Sequence, residues 1–173
     1  MTLDLARRPA ASETAPFYHG YLALVPDGDI LATLARQPDE TAALVAGADG
    51  AHRYAPGRWT VNEVLLHMAD TERVFAYRAL RFARGDATPL PGFDQDVFAR
   101  SADVSGQTVD ERVDDFRAAR AATLSLARGF DAAAWDRAGT ASGHPMTTRG
   151  AVWVLAGHAR HHAAILRERY LPE

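Results

Sequence analysis

Cysteine is absent from the 173 residues, and so is lysine; all 19 basic residues are arginine. Without cysteine there is no disulfide, no thiolate zinc site and no cysteine nucleophile. Without lysine there is no Schiff-base chemistry. The arginine bias is read as a property of the coding genome and carries no functional weight. Long apolar runs are missing too. No stretch approaches the roughly 20 apolar residues that span a bilayer. The start, "MTLDLARRPAASETAP", has no signal-peptide core. A soluble, cytoplasmic protein is expected. A positive surplus is also lacking: the net charge is −3 and the pI about 6.1. Neither nucleic acid nor an anionic membrane is therefore expected as a partner. Phosphate- and dinucleotide-binding loops and the G-x-S-x-G elbow are absent as well.

What remains is an ordinary globular composition, 47% apolar and 24% charged. The length suits one domain with a real core. Residues 1–25, polar and marked by Pro9 and Pro16, read as a loose N-terminal arm, and 26–173 as a single domain. Ile30, Leu31, Leu34, Leu44 and Val45 keep a helical rhythm that Pro38 interrupts or kinks, and Gly47 and Gly50 end it. Thr60 and Glu63 form a capping box that opens a second helix, carried by Val64, Leu66, Met68, Val74, Phe75, Tyr77 and Phe82 and stopped by Gly85. A second box, Thr108 with Glu111, opens a third helix ending at Gly129. "FDAAAWDR" suggests a helical turn and "AGTASGHPMT" a loop. Thr147 or Thr148 caps a fourth helix running to about Tyr170. With no convincing strand run and no repeat, the expected fold is an all-α four-helix bundle. Its long connections, after helices 2 and 3, fit a bundle with a crossover.

The fourth helix contains "WVLAGHARHHAAIL". With His158 at zero and about 100° per residue, Ala151, Val154, Leu155, Ile165 and Leu166 lie near roughly +20°, −40°, +60°, −20° and +80°. The apolar face centres near about +20°, with His158 about 20° to one side, His162 about 20° to the other, and His161 at the edge near about −60°. His158 and His162 thus point inward, stacked one turn apart, and can ligate one metal ion. Burying both imidazoles costs energy unless each finds a partner. A core histidine with a hydrogen bond is the plain alternative. On the second helix His67 stands on a buried stripe with Val64, Thr71, Val74 and Phe75, and facing helices of a bundle commonly share a metal site. Three neutral nitrogens suit Zn²⁺, Ni²⁺, Fe²⁺ or Co²⁺, and three protein ligands leave a position for water or substrate.

Other polar residues carry competing readings. Glu63 is better placed as a cap than beside a metal. Asp70 can orient a ligand or pair with Arg73. The arginines of helix 2 read as a solvated face, although Arg78 falls on the His67 face and could meet an anionic group. His19, His52 and His144 have no metal-like spacing, and Asp94, Gln95 and Asp96 read as loop polarity at a pocket mouth. Ala159 stands where a zinc protease has its glutamate base, which argues against proteolysis.

The segments "RWTVNEVLLHMADTERVFAYRALRFARGD" and "HPMTTRGAVWVLAGHARHHAAILRERYL" resemble the DinB-like (DinB/YfiT) superfamily, from about Pro26 to Leu171. The resemblance rests on the W-T helix start, the histidine after it and the C-terminal G-H-x-x-x-H. It implies an up-down-down-up four-helix bundle, often a homodimer. It also implies a divalent metal, typically nickel or zinc with iron, cobalt or manganese as further options, held by His67, His158 and His162. Relatives often carry Glu where this chain has Ala159, so a role tied to that Glu does not transfer. Activities in the family include S-transfer with low-molecular-weight thiols, thiol-dependent isomerisation and hydrolysis. The expected function is therefore a metal-dependent thiol S-transferase or hydrolase acting on a small molecule, with a thiol cosubstrate in the first case. Asp70 and His161 are the candidate acid–base groups. The alternative is a non-catalytic metal-binding module of a stress response. A cluster reached by a cleft favours the enzyme, and a sealed one favours the module. A His67 remote from the other two favours no metal at all.

Overall fold

A computed structural model describes residues 3–171. In chain order its helices are α1 (His19–Ala23), α2 (Ile30–Val45), α3 (Val61–Ala83), α4 (Gln95–Ser101), α5 (Val109–Arg128), α6 (Ala132–Asp136) and α7 (Thr148–Ile165). A hairpin, β1 (Ala138–Ala141) and β2 (His144–Thr147), lies between α6 and α7, and a π-helical turn, Leu166–Tyr170, continues α7. Polar side chains set the helix starts. Asp29 accepts from the amides of Leu31 and Ala32, and both expected capping boxes close. Thr147, not Thr148, caps α7.

The four long helices form a bundle in which α3 packs on α5 and α7, and α2 on the same two. Every residue from Thr148 to Ala159 is buried, which makes α7 the central helix. Two apolar clusters divide the core. One gathers Phe75, Ala79 and Phe82 of α3 with Ala151–Ala156 of α7; the other gathers Val61, Val64, Leu65 and Met68 with Ala159 and Leu166. Between them runs a polar layer. The Arg120 guanidinium donates to both oxygens of Glu72 at 2.8 and 2.9 Å, both residues being 1% exposed. Arg120 also donates to Gln37 Oε1, and Gln37 donates to the Ala156 carbonyl at 2.7 Å. One network therefore ties α2, α3, α5 and α7 at mid-height, beside the histidines.

Several expectations need correction. Pro38 does not break its helix; α2 runs through it. Proline removes the amide that would bond the carbonyl of Leu34, and Arg120 supplies that bond instead at 3.0 Å. "AGTASGHPMT" is not a loop. It pairs in antiparallel register, Ala138 with Thr147 and Ala141 with His144, around Ser142 (φ 54°) and Gly143 (φ 78°). Two central residues at positive φ make the tight turn that suits hairpin twist. Four-residue strands are too short to show a period. The connection after α3 holds α4 and is pinned to the hairpin by Leu90. The described part of the arm is seated, not loose. Leu22 and Val25 join the core, and Arg149 donates to the Asp4 carbonyl. Among the described residues no helix is long and apolar enough to cross a membrane.

Candidate metal centre

Helix α3 presents Val64, His67, Thr71, Phe75, Arg78 and Phe82 on one buried stripe, at steps of three or four. The stripe is apolar at its ends and polar in the middle, where the two core clusters meet. Helix α7 brings His158 and His162 to the same level. His67, His158 and His162 are all buried, and one ring nitrogen from each lies within 4.8 Å of the others. The Nε2 atoms of His67 and His158 are 2.9 Å apart. Ring centroids are separated by 4.8, 4.8 and 4.4 Å. A no-metal reading required a remote His67, and the structure puts it in the cluster.

The set fits a divalent ion. Two nitrogens on one tetrahedral zinc lie about 3.4 Å apart, inside the observed spread. Nδ1 of His162 is buried with no hydrogen-bond partner. Burial pushes the His67 imidazolium down to about 4, with Asp96 opposing and His161 assisting. Burial, then the neighbouring imidazoles, holds His158 and His162 well below the usual histidine range. All three are thus neutral near pH 7, the state a metal ligand requires. No carboxylate hydrogen-bonds to them among the described residues.

Aromatic rings fix the imidazoles. Trp59, just before α3, lies 4.9 Å from the His67 ring. Tyr21 of α1 meets His158 edge-on at 5.6 Å and His161 at 5.2 Å. That contact depends on Gly157, where a β-carbon would stand 2.1 Å from the Tyr21 carbonyl oxygen. Tyr21 escaped the sequence reading because α1 is only five residues long, too short for the apolar residues around it to show a helical period.

Cavities reach the triad from two sides. One, of about 590 Å³, is lined by His161 and His162 with Trp59, Glu63, Asp96 and Arg100. The other, of about 400 Å³, is lined by His67 and His158 with Tyr18, Thr71, Arg78 and Ser142. Tyr21 and Gln95 border both. The cluster is therefore not sealed.

The remaining candidates fall as follows. His161 is half-buried beside His162, ring to ring 5.1 Å, and faces the larger cavity. Asp70 is not beside the triad. Three residues past His67 it is turned about 60° off that face, where it pairs with Arg73 at 3.5 Å near Asp115 of α5. Glu63 closes the capping box, accepting from the Thr60 amide at 2.6 Å, and borders the larger cavity. Asp96, read as loop polarity at a pocket mouth, lines the larger cavity because α4 folds the connection over the site, and its charge acts on His67. Asp94 caps α4. His19 and His144 stand in α1 and β2, outside the triad.

Comparison with known proteins agrees with the fold. No curated protein matches the sequence. A solved structure, YfiT from Bacillus subtilis, superposes with a TM-score of 0.69 at 17% identity, over 91% of this chain and 88% of that one. It is described as a probable metal-dependent hydrolase with an unusual four-helix bundle topology. Residues 32–166, which include all three histidines and both helices that carry them, match the DinB superfamily, and the chain belongs to that superfamily.

Proposed function

We propose that the chain is a metal-dependent enzyme acting on a small molecule, with His67, His158 and His162 as the ligands of a divalent ion, zinc or nickel first. The observation that carries this is the convergence of three buried neutral imidazoles where two cavities meet. An ion in that place lowers the pKa of a coordinated thiol or water and so supplies a nucleophile near neutral pH. The chain has no thiol of its own, so a sulfur nucleophile must come from a cosubstrate.

Two cavities suit two reactants, and this favours S-transfer from a low-molecular-weight thiol to a small electrophile. Trp59 and Tyr21 pack against the imidazoles and hold their orientation. His161 and Asp96 line the larger cavity, where they can take the proton of an entering nucleophile. Those same two groups support a second reading, hydrolysis, in which water replaces the thiol. YfiT's description lends weight to that reading.

The test is elemental analysis of purified protein, followed by a panel of thiols and electrophiles with and without chelator. Stoichiometric metal and chelator-sensitive thiol consumption are expected. Ester or amide turnover without thiol selects the hydrolase. Stoichiometric metal with no turnover in either panel leaves the non-catalytic module. Protein without metal after reconstitution overturns the proposal.

A further inference from the structure

Three arginines are buried among the described residues: Arg78, Arg120 and Arg149. Arg120 is matched by Glu72, and Arg149 reaches Asp136 at 3.3 Å. Arg78, 2% exposed, forms no ion pair with any described carboxylate. Its Nη2 donates to the Pro91 carbonyl at 3.2 Å and to Ser142 Oγ at 3.0 Å, and its Nη1 is buried with no partner at all. Its guanidinium lies 4.7 Å from the Phe75 ring centroid. A buried cation without a counter-charge is costly, and its unused donors add to that cost. The protein retains such a group in the wall of the cavity that His67 and His158 also line. A second orphan lies between them on the same helix face. The hydroxyl of Thr71 is buried, unpartnered and part of the same wall.

We infer that this cavity binds a substrate carboxylate: Arg78 anchors the anionic end, Thr71 hydrogen-bonds the middle of the molecule, and the reacting atom lies at the triad. Charge and geometry agree on this. A guanidinium N–H makes a charge-assisted hydrogen bond to a carboxylate oxygen, and with both Nη2 hydrogens engaged Nη1 is the donor left over for it. His67 and Arg78 are eleven residues apart, three helical turns, so they share a face with a rise of about 16 Å between backbones. The Arg78 side chain leans back over Phe75, which shortens the span to on the order of 10 Å. The preferred substrate is therefore an elongated carboxylate whose reactive group is remote from the acid. A purely structural role for Arg78, tying the connection and the hairpin to α3, accounts for Nη2 and leaves Nη1 and Thr71 unexplained.

The inference rests on the metal-dependent reading, so the test separates the two. Cobalt(II)-loaded protein is titrated with ω-mercaptocarboxylates and with the ω-mercaptoalcohols of equal chain length, and ligation is followed in the visible cobalt bands. In the wild type the carboxylates should bind at least about tenfold more tightly at the best chain length. Arg78→Gln should remove that preference while leaving the mercaptoalcohol affinity within about twofold, and Arg78→Lys should restore part of it. Equal affinity of the two series in the wild type overturns the inference and leaves the metal centre standing, even if every Arg78 variant fails to fold. Failure of the wild type to take up cobalt overturns both.

Discussion

At the scale of single residues the site depends on three imidazoles kept neutral by burial. His162→Ala should abolish stoichiometric metal binding, read by elemental analysis, while far-UV circular dichroism shows the same helical content. Stoichiometric metal in that variant removes His162 from the ligand set. Asp70→Asn is the contrasting change. Asp70 sits in a half-buried ion-pair cluster at the surface, off the triad face, so metal content should not move and stability should change by about 1 kcal/mol or less. The separation of these two residues was half legible beforehand. Helical rotation alone puts His158 and His162 on one face, and the same rotation turns Asp70 away from His67. It could not say that α5 waits on that side with Asp115.

At the scale of elements, two contacts place the site and both can be tested by stability. Gly157 lets α1 approach α7. In an exposed helix Gly→Ala gains up to about 1 kcal/mol in propensity. Here a β-carbon would strike the Tyr21 backbone, so Gly157→Ala should instead cost about 1–3 kcal/mol in urea denaturation. The Tyr21 ring should also leave His158, read as a change in tyrosine fluorescence. A stabilised Gly157→Ala protein would show that α1 is not held against α7. The Arg120–Glu72 pair is the second contact. Arg120→Met leaves a buried carboxylate unpaired and the Leu34 carbonyl unbonded, at a cost of about 3–5 kcal/mol. Adding Glu72→Gln should recover part of that loss. The capping boxes of α3 and α5 were legible because each is written in four consecutive residues. The hairpin and the seating of the arm were not, because they depend on partners far along the chain.

At the scale of the whole molecule the metal-free bundle should be acid-sensitive in a definite window. His67 is lowered by burial to about 4 from an ordinary value near 6.5. Between those values the unfolded chain binds more protons than the folded one, so stability falls as pH falls from about 6.5 to about 4. His158 and His162, lowered in the same direction by burial and by their neighbours, extend the loss. For His67 alone the effect is on the order of 3 kcal/mol. Urea midpoints of chelator-treated protein across that range measure it, and His67→Gln should flatten the slope. Midpoints independent of pH over that window would mean that the imidazoles already titrate normally. Added zinc at about a hundred times its Kd should raise stability by about 2.7 kcal/mol at neutral pH.

Local patterns are properties of neighbours in the chain, and those could be read directly: the long helices and the two capping boxes, the inward pair His158 and His162, and the buried stripe bearing His67. They follow from a rotation of about 100° per residue and from side chains that reach backbone amides three positions away. Which elements meet is a property of packing. Tertiary structure alone brought His67 within hydrogen-bonding distance of His158 and laid Tyr21 against the triad. It alone folded Asp96 over the larger cavity, gave Glu72 to Arg120 and left Arg78 without a counter-ion. Each of these joins groups from separate elements, and only the shared burial of those elements in one core determines their distance.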